Sequence, residues 1–319
     1  MRSGRQITFP SVGAACSATH LTGTGDDFRS ETGRPCVVMA HGFGGTRDTG
    51  LSGYAHGFAA AGLDVLLFDY RGFAASSGTP RQVVSHTAQR EDYHAAIAEA
   101  RRLPGVDPDR IVLWGTSYSG GHVVPVGVRD GRIAAAISMT PAMDGAAAMG
   151  MIATRAGVRP LLNLARHGLI DISRRLRGRV PHLVPVAAEP GELGFLTAPG
   201  ALAGYTAIAG PTWRNEVAAR AALESAFNRP VAHARRVRFP LFVQIGTRDQ
   251  TVPASAARRV AALAGPHATA SEYPVDHFDV YAGAWQERLL ADQLDFLRQR
   301  LGAPVAANAP ATTLSAGNH

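Results

Sequence analysis

The sequence predicts an α/β protein: a mostly parallel, eight-stranded sheet with helices on both faces and a helical insertion in its second half. Three observations carry this. Short apolar runs alternate with longer helical segments from about residue 35 to 140, which argues for a parallel sheet covered on both sides. The alternation stops between about 142 and 235, where no strand–helix rhythm can be found. It resumes from about 239 to 301.

The elements follow in order. Residues 5–23 suggest two short antiparallel strands. Pro35-Cys36-Val37-Val38-Met39-Ala40 opens a buried strand over 35–41, and a second runs over 63–70. A helix near 80–103, a strand over 110–116, a helix over 118–128 and a strand over 133–140 complete the first half. Helical segments at 151–178 and 214–227 flank a Pro- and Gly-rich stretch at 180–211. A strand over 239–246 precedes a helix over 253–264, with Pro253 at a tolerated first-turn position. A strand over 268–274 and a helix over 283–301 end the pattern. The expected organisation is a core in two parts, 1–141 and 236–302, around an insertion at 142–235. A tail at 303–319, rich in Ala, Pro, Asn and Thr, reads as disordered.

At 319 residues, 46% hydrophobic and 18% charged, the chain holds one core plus an insertion. No apolar run approaches the ~18 residues of a membrane span, and the N-terminus lacks the apolar stretch of a signal peptide. Val12-Gly13-Ala14-Ala15-Cys16 is faintly like a lipoprotein cleavage site, but nothing hydrophobic precedes it. A cytoplasmic location is expected, with Cys16 and Cys36 as buried free thiols in strands. The formal charge is +7, and the chain has no lysine, so all 32 basic residues are arginine. Aromatic residues are 7% and do not interleave with the basic ones, which argues against nucleic-acid binding. Arg174-Arg175-Leu176-Arg177-Gly178-Arg179 reads as a solvated face.

The chemistry centres on Leu113-Trp114-Gly115-Thr116-Ser117-Tyr118-Ser119-Gly120-Gly121. A serine between a strand and a helix, flanked by small residues, is the nucleophile-elbow arrangement, and Ser117 is the candidate nucleophile. The usual pattern is Gly-x-Ser-x-Gly; here the fifth position is Ser119, the next small residue. A serine hydroxyl needs a base, and the base an orienting acid. His277, in Asp276-His277-Phe278-Asp279, follows the last expected strand. Asp249 follows the preceding one, in Gly246-Thr247-Arg248-Asp249-Gln250-Thr251-Val252-Pro253. Asp144, after the strand at 133–140, is an alternative acid. The loop His41-Gly42-Phe43-Gly44-Gly45 follows the first buried strand. The backbone N–H groups of Phe43 and Tyr118 would form an oxyanion hole, worth roughly 3–4 kcal/mol per donor.

These four pieces, in the order Ser117, Asp249, His277, resemble the α/β-hydrolase superfamily over about residues 5–302. Phe68-Asp69-Tyr70-Arg71-Gly72, Ser77-Gly78 and Asp279-Val280-Tyr281 are similar to lid-bearing bacterial serine esterases and related peptidase-like hydrolases. The resemblance implies that 142–235 is a lid, that His41 holds the oxyanion loop by a backbone hydrogen bond, and that no metal or organic cofactor is needed. It implies a carboxylic ester hydrolase acting through an acyl-enzyme on a small-molecule ester. The insertion itself carries an apolar set, Met143, Met149, Met151, Leu161, Leu162, Leu164, Phe195, Leu196, Tyr205 and Trp213, expected to turn inward over Ser117. The acyl or alcohol part is therefore expected to be apolar and of short to medium length. Acyl transfer, amide cleavage and C–C hydrolysis use the same triad and stay open, as does a non-catalytic binding module. An aminopeptidase would need acidic lid residues, and only Glu189, Glu192, Glu216, Glu224, Asp144 and Asp171 are available. His86, Glu91, Asp92 and His94 lack metal-ligand spacing and read as a solvated helix face. Met139, Met143, Met149 and Met151 read as packing, or as the wall of an apolar pocket.

Overall fold

The computed structural model describes residues 4–301, so the tail at 303–319 lies outside the described residues. The main sheet uses β1 (Arg5–Ser11), β2 (Ala14–Leu21), β3 (Arg34–Ala40), β4 (Asp64–Phe68), β5 (Val106–Thr116), β6 (Ala135–Met139), β9 (Leu241–Gly246) and β10 (Ala268–Tyr273). Their order is β1-β2-β4-β3-β5-β6-β9-β10. Within it β2 pairs antiparallel with both β1 and β4, and every other pairing is parallel. This is the α/β-hydrolase fold that the motif order implies.

The inner strands are covered on both faces because their side chains alternate between two cores. Cys36, Val38 and Ala40 of β3 join one core with α2 (His86–Ala100), α3 (Ser117–Asp130) and α8 (Ala254–Ala264). Val37 and Met39 join the other with α1 (Ser52–Ala60) and α9 (Gly283–Leu301). Cys16 and Cys36 are both buried and free, and burial pushes the Cys16 thiol up to about 12.

The helix α1 has no counterpart in the expected pattern. Gly53 and Gly57 weaken its helical signal, yet both let α9 pack close. A Cβ at Gly53 would lie 2.3 Å from Gln286, and one at Gly57 would lie 2.3 Å from Leu290, both on α9. Asp92 also departs from the expected solvated face. It is fully buried on α2, accepts from Ser11 Oγ at 2.6 Å and pairs with Arg71 at 2.7 Å.

Between β6 and β9 lie α4 (Gly145–Ala156), α5 (Arg159–Leu176), β7 (Leu183–Val184), α6 (Ala201–Ile208), β8 (Val217–Ala218) and α7 (Ala221–Ser225). The expected helix over 151–178 is two helices broken at Gly157. The expected helix over 214–227 holds a strand and one short helix, and α6 forms inside the Pro- and Gly-rich stretch. β7 pairs with β8 from a distant part of the insertion, Val184 opposite Val217, a contact that no local periodicity announces.

Candidate active site

The tightest turn in the site joins β5 to α3. Ser117 sits there with φ of 54°, in the left-handed region that a serine enters only when its surroundings hold it. A Cβ at Gly115 would lie 2.3 Å from Ser119 O, so only glycine lets the turn close. Ser119 contributes more than small size. Its Oγ accepts from Thr116 N at 2.9 Å, and its proton is shared between Ala40 O at 2.8 Å and Thr116 O at 2.9 Å. The hydroxyl ties the end of β3 to the serine turn, a bond that a glycine there could not make.

Two loops beyond the next strands bring their side chains to the same place. His277 Nε2 is 3.0 Å from Ser117 Oγ. His277 Nδ1 is 2.7 Å from Asp249 Oδ2. An ionised carboxylate accepts only, so Nδ1 carries the proton and Nε2 is free to accept from the serine. The other Asp249 oxygen accepts from Thr251 N and Val252 N, both at 2.8 Å, which fixes its direction. All three residues are buried. The neighbouring carboxylate Asp276 is spent on Gln250 N and on the N–H of His277 itself. Asp144 is occupied elsewhere: it caps α4 through Ala146 N and Ala147 N and pairs with Arg229 at 3.0 Å.

The loop after β3 closes the site on one side. His41 Nδ1 lies 3.0 Å from Gly42 O, and burial lowers its imidazole to about 4, so a neutral ring donates this bond. Phe43 packs edge-on against Tyr118 and, with a tilt, against Phe195 of the insertion. Tyr205 Oη donates to Phe43 O at 2.7 Å, and Trp213 Nε1 donates to Gly44 O at 3.2 Å. Thr212 donates twice to Asp48. The sequence marked Tyr205 and Trp213 only as apolar members of the insertion; their polar ends instead latch the insertion to this loop.

A cavity of about 20 Å³ lies over Ser117, room for about one water-sized group. Gly42, Phe43, Ser117 and His277 form its floor, and Leu196, Tyr205 and Ile208 reach in from the insertion. Thr49, Thr116, Phe278 and Tyr281 also line it, and Tyr281 Oη is 2.6 Å from Thr116 Oγ1. None of the four clustered methionines lines it. Met139 and Met143 are buried in the two cores instead, because the pocket is walled by residues distant in sequence. Ile208 carries no chemical signal that could have marked it in advance. Among the described residues no group of three or more His, Cys, Asp or Glu could hold a metal ion. No helix among them is long and apolar enough to cross a membrane.

The sequence model of the family described as serine aminopeptidase, S33, matches residues 31–275. The quorum-quenching protein AidA of Acinetobacter baumannii is 37% identical over 297 residues, 92% of this chain and 94% of that protein. Among solved structures, the α/β-hydrolase GrgF from Penicillium superposes with a TM-score of 0.74 at 23% identity, covering 93% of this chain and 98% of that one. The structure of DcsB with its substrate analogue gives a TM-score of 0.78 at 21% identity, covering 94% and 100%. These two likenesses bear on fold alone.

Proposed function

The chain belongs to the serine aminopeptidase S33 family of α/β-hydrolase enzymes, and we propose that it is a serine hydrolase that cleaves a carboxylic ester. The single observation that carries this reading is the hydrogen-bonded row Asp249–His277–Ser117, at 2.7 and 3.0 Å. His277 Nε2 takes the Ser117 proton as Oγ attacks the ester carbonyl. Asp249 holds the imidazole in the right tautomer and stabilises its charged form. The N–H groups of Phe43 and Tyr118 receive the oxyanion. His277 then protonates the departing alcohol, leaving an acyl-serine, and afterwards takes a proton from water so that hydroxide releases the acid.

The wall of the cavity supports an ester over an aminopeptidase substrate. No carboxylate lines it, so nothing there would hold the ammonium of a free amino terminus. Glu189 and Glu192 are exposed, and Glu216 pairs with Arg214. Leu196, Ile208 and Phe278 offer apolar contact, suited to a short acyl group. Each added methylene should contribute at most about 0.8 kcal/mol until the space is full.

Ser117→Ala tests the reading. Turnover of p-nitrophenyl acetate should fall by about four orders of magnitude or more, with the melting temperature little changed. A fluorophosphonate should label the wild type and leave the variant unlabelled. Labelling that persists in Ser117→Ala would remove Ser117 from the role of nucleophile. An aminoacyl anilide turned over faster than the ester would replace ester cleavage by amide cleavage.

A further inference from the structure

α5 buries only one of its sides. Leu164, Gly168 and Asp171 face inward, and a Cβ at Gly168 would lie 3.0 Å from Leu223 and 3.1 Å from Ala219 O. Away from that contact Leu162, Leu169 and Leu176 are 67%, 62% and 82% exposed. Their seven-residue spacing, at about 100° per residue, places them within about 40° of one another as one apolar ridge. Val158, also exposed, extends the ridge at its N-terminal end. Arg159 and Arg166 repeat with the same spacing and run beside it, and Arg177 reaches back to Ser173 at 2.5 Å to take the third place in that row.

The charge is one-sided as well. Residues 145–182 contain seven arginines and a single carboxylate, Asp171. That carboxylate is buried and spent on Arg220 and on the N–H of His182. Nothing acidic on the outer face offsets the guanidinium groups.

We propose that this face of α5 docks the protein on an anionic phospholipid surface. A large apolar ridge with an arginine row beside it, and Ile170 as a further exposed apolar side chain, is the pattern of helices that lie in a membrane interface. The leucines would enter the acyl boundary while the guanidinium groups bind headgroup phosphates. A second copy of the same face would bring arginine rows against each other. A nucleic acid would satisfy the arginines and leave the leucines in water.

Vesicle co-sedimentation tests this. The protein should bind phosphatidylglycerol-containing vesicles more tightly than pure phosphatidylcholine, with affinity falling as salt rises. Two variants divide the contributions: Leu162→Gln/Leu169→Gln/Leu176→Gln and Arg159→Gln/Arg166→Gln/Arg177→Gln. Each arginine removed should weaken binding about fivefold, so the arginine variant should lose about a hundredfold. The leucine variant should lose at least as much. Neither should change hydrolysis of a short soluble ester, since none of these residues lines the cavity, and circular dichroism melting confirms that both fold. Absence of vesicle binding by the wild type overturns the proposal. So does a leucine-dependent dimer in light scattering without vesicle binding, or RNA binding that needs the arginines and not the leucines.

Discussion

At the carboxyl edge of the sheet, each side chain of the proposed triad leaves the chain within four residues of a strand end. Ser117 follows β5 directly, Asp249 stands three residues after β9, and His277 four after β10. Parallel strands bring their ends to one edge, so short loops can only deliver side chains there. In the insertion, position depends on other forces. α5 is anchored by Asp171, whose carboxylate takes Arg220 Nε at 2.5 Å, Arg220 N at 3.0 Å and His182 N at 2.7 Å. Burial alone would raise the Asp171 acid, but these bonds outweigh it and hold it below its ordinary range. Where a sheet sets the frame, pattern in the sequence suffices. Where single buried polar contacts set it, pattern misleads.

The sharpest way to break this comparison is at the two aspartates. With Asp249 as the acid, Asp249→Asn should lower kcat by up to about four orders of magnitude, about 5 kcal/mol. Asp144→Asn should leave kcat within about a factor of three, weakening the α4 cap by about 1 kcal/mol. Ester kinetics with urea unfolding checks both, and a reversed ranking would move the acid to Asp144.

A smaller effect tests the anchor of the insertion. Asp171→Ala leaves Arg220 buried without its partner, and should cost about 3–5 kcal/mol of stability in urea unfolding. Replacing Asp171 and Arg220 together by apolar residues should cost less than the single change. Equal costs would show that the charge pairing does not hold α5.

His41 contributes one part of the pH dependence, and burial lowers the His122 imidazole in the same direction. Burial lowers the His41 imidazole from the ordinary 6.5 to about 4. The unfolded chain therefore takes up a proton near pH 6.5 that the folded chain refuses until about pH 4. The contribution is complete above 6.5 and is lost as pH falls through that window, amounting to about 3 kcal/mol. Denaturant unfolding at pH 7 and pH 4.5 should show a flatter response in His41→Gln than in the wild type. Parallel curves would contradict a buried neutral imidazole.

The smallest effect joins the two regions. Tyr205→Phe removes the hydrogen bond to Phe43 O while keeping the ring, a change of about 1 kcal/mol. If the insertion positions the Phe43 loop for the reaction, kcat should fall about fivefold with KM little altered. A change in KM alone would place Tyr205 in substrate contact instead.

The sequence by itself determined the sheet and the local geometry of the serine turn. Both depend on near neighbours: apolar runs of strand length, and Gly115 two residues before Ser117. It also placed Asp249 after β9 and His277 after β10, because chain order and a parallel sheet leave few arrangements. Only the tertiary structure decided which carboxylates are occupied. Asp144 caps α4, and Asp92 is buried against Arg71 rather than solvated. It also decided that α1 forms despite Gly53 and Gly57, since α9 packs where a Cβ would stand. The walls of the cavity were legible only as an apolar set in the insertion, which includes Leu196 and Tyr205 but not Ile208. Leu196, Tyr205 and Ile208 meet Ser117 from about 80–90 residues away, and contacts at that separation are set by packing, which no sequence window records.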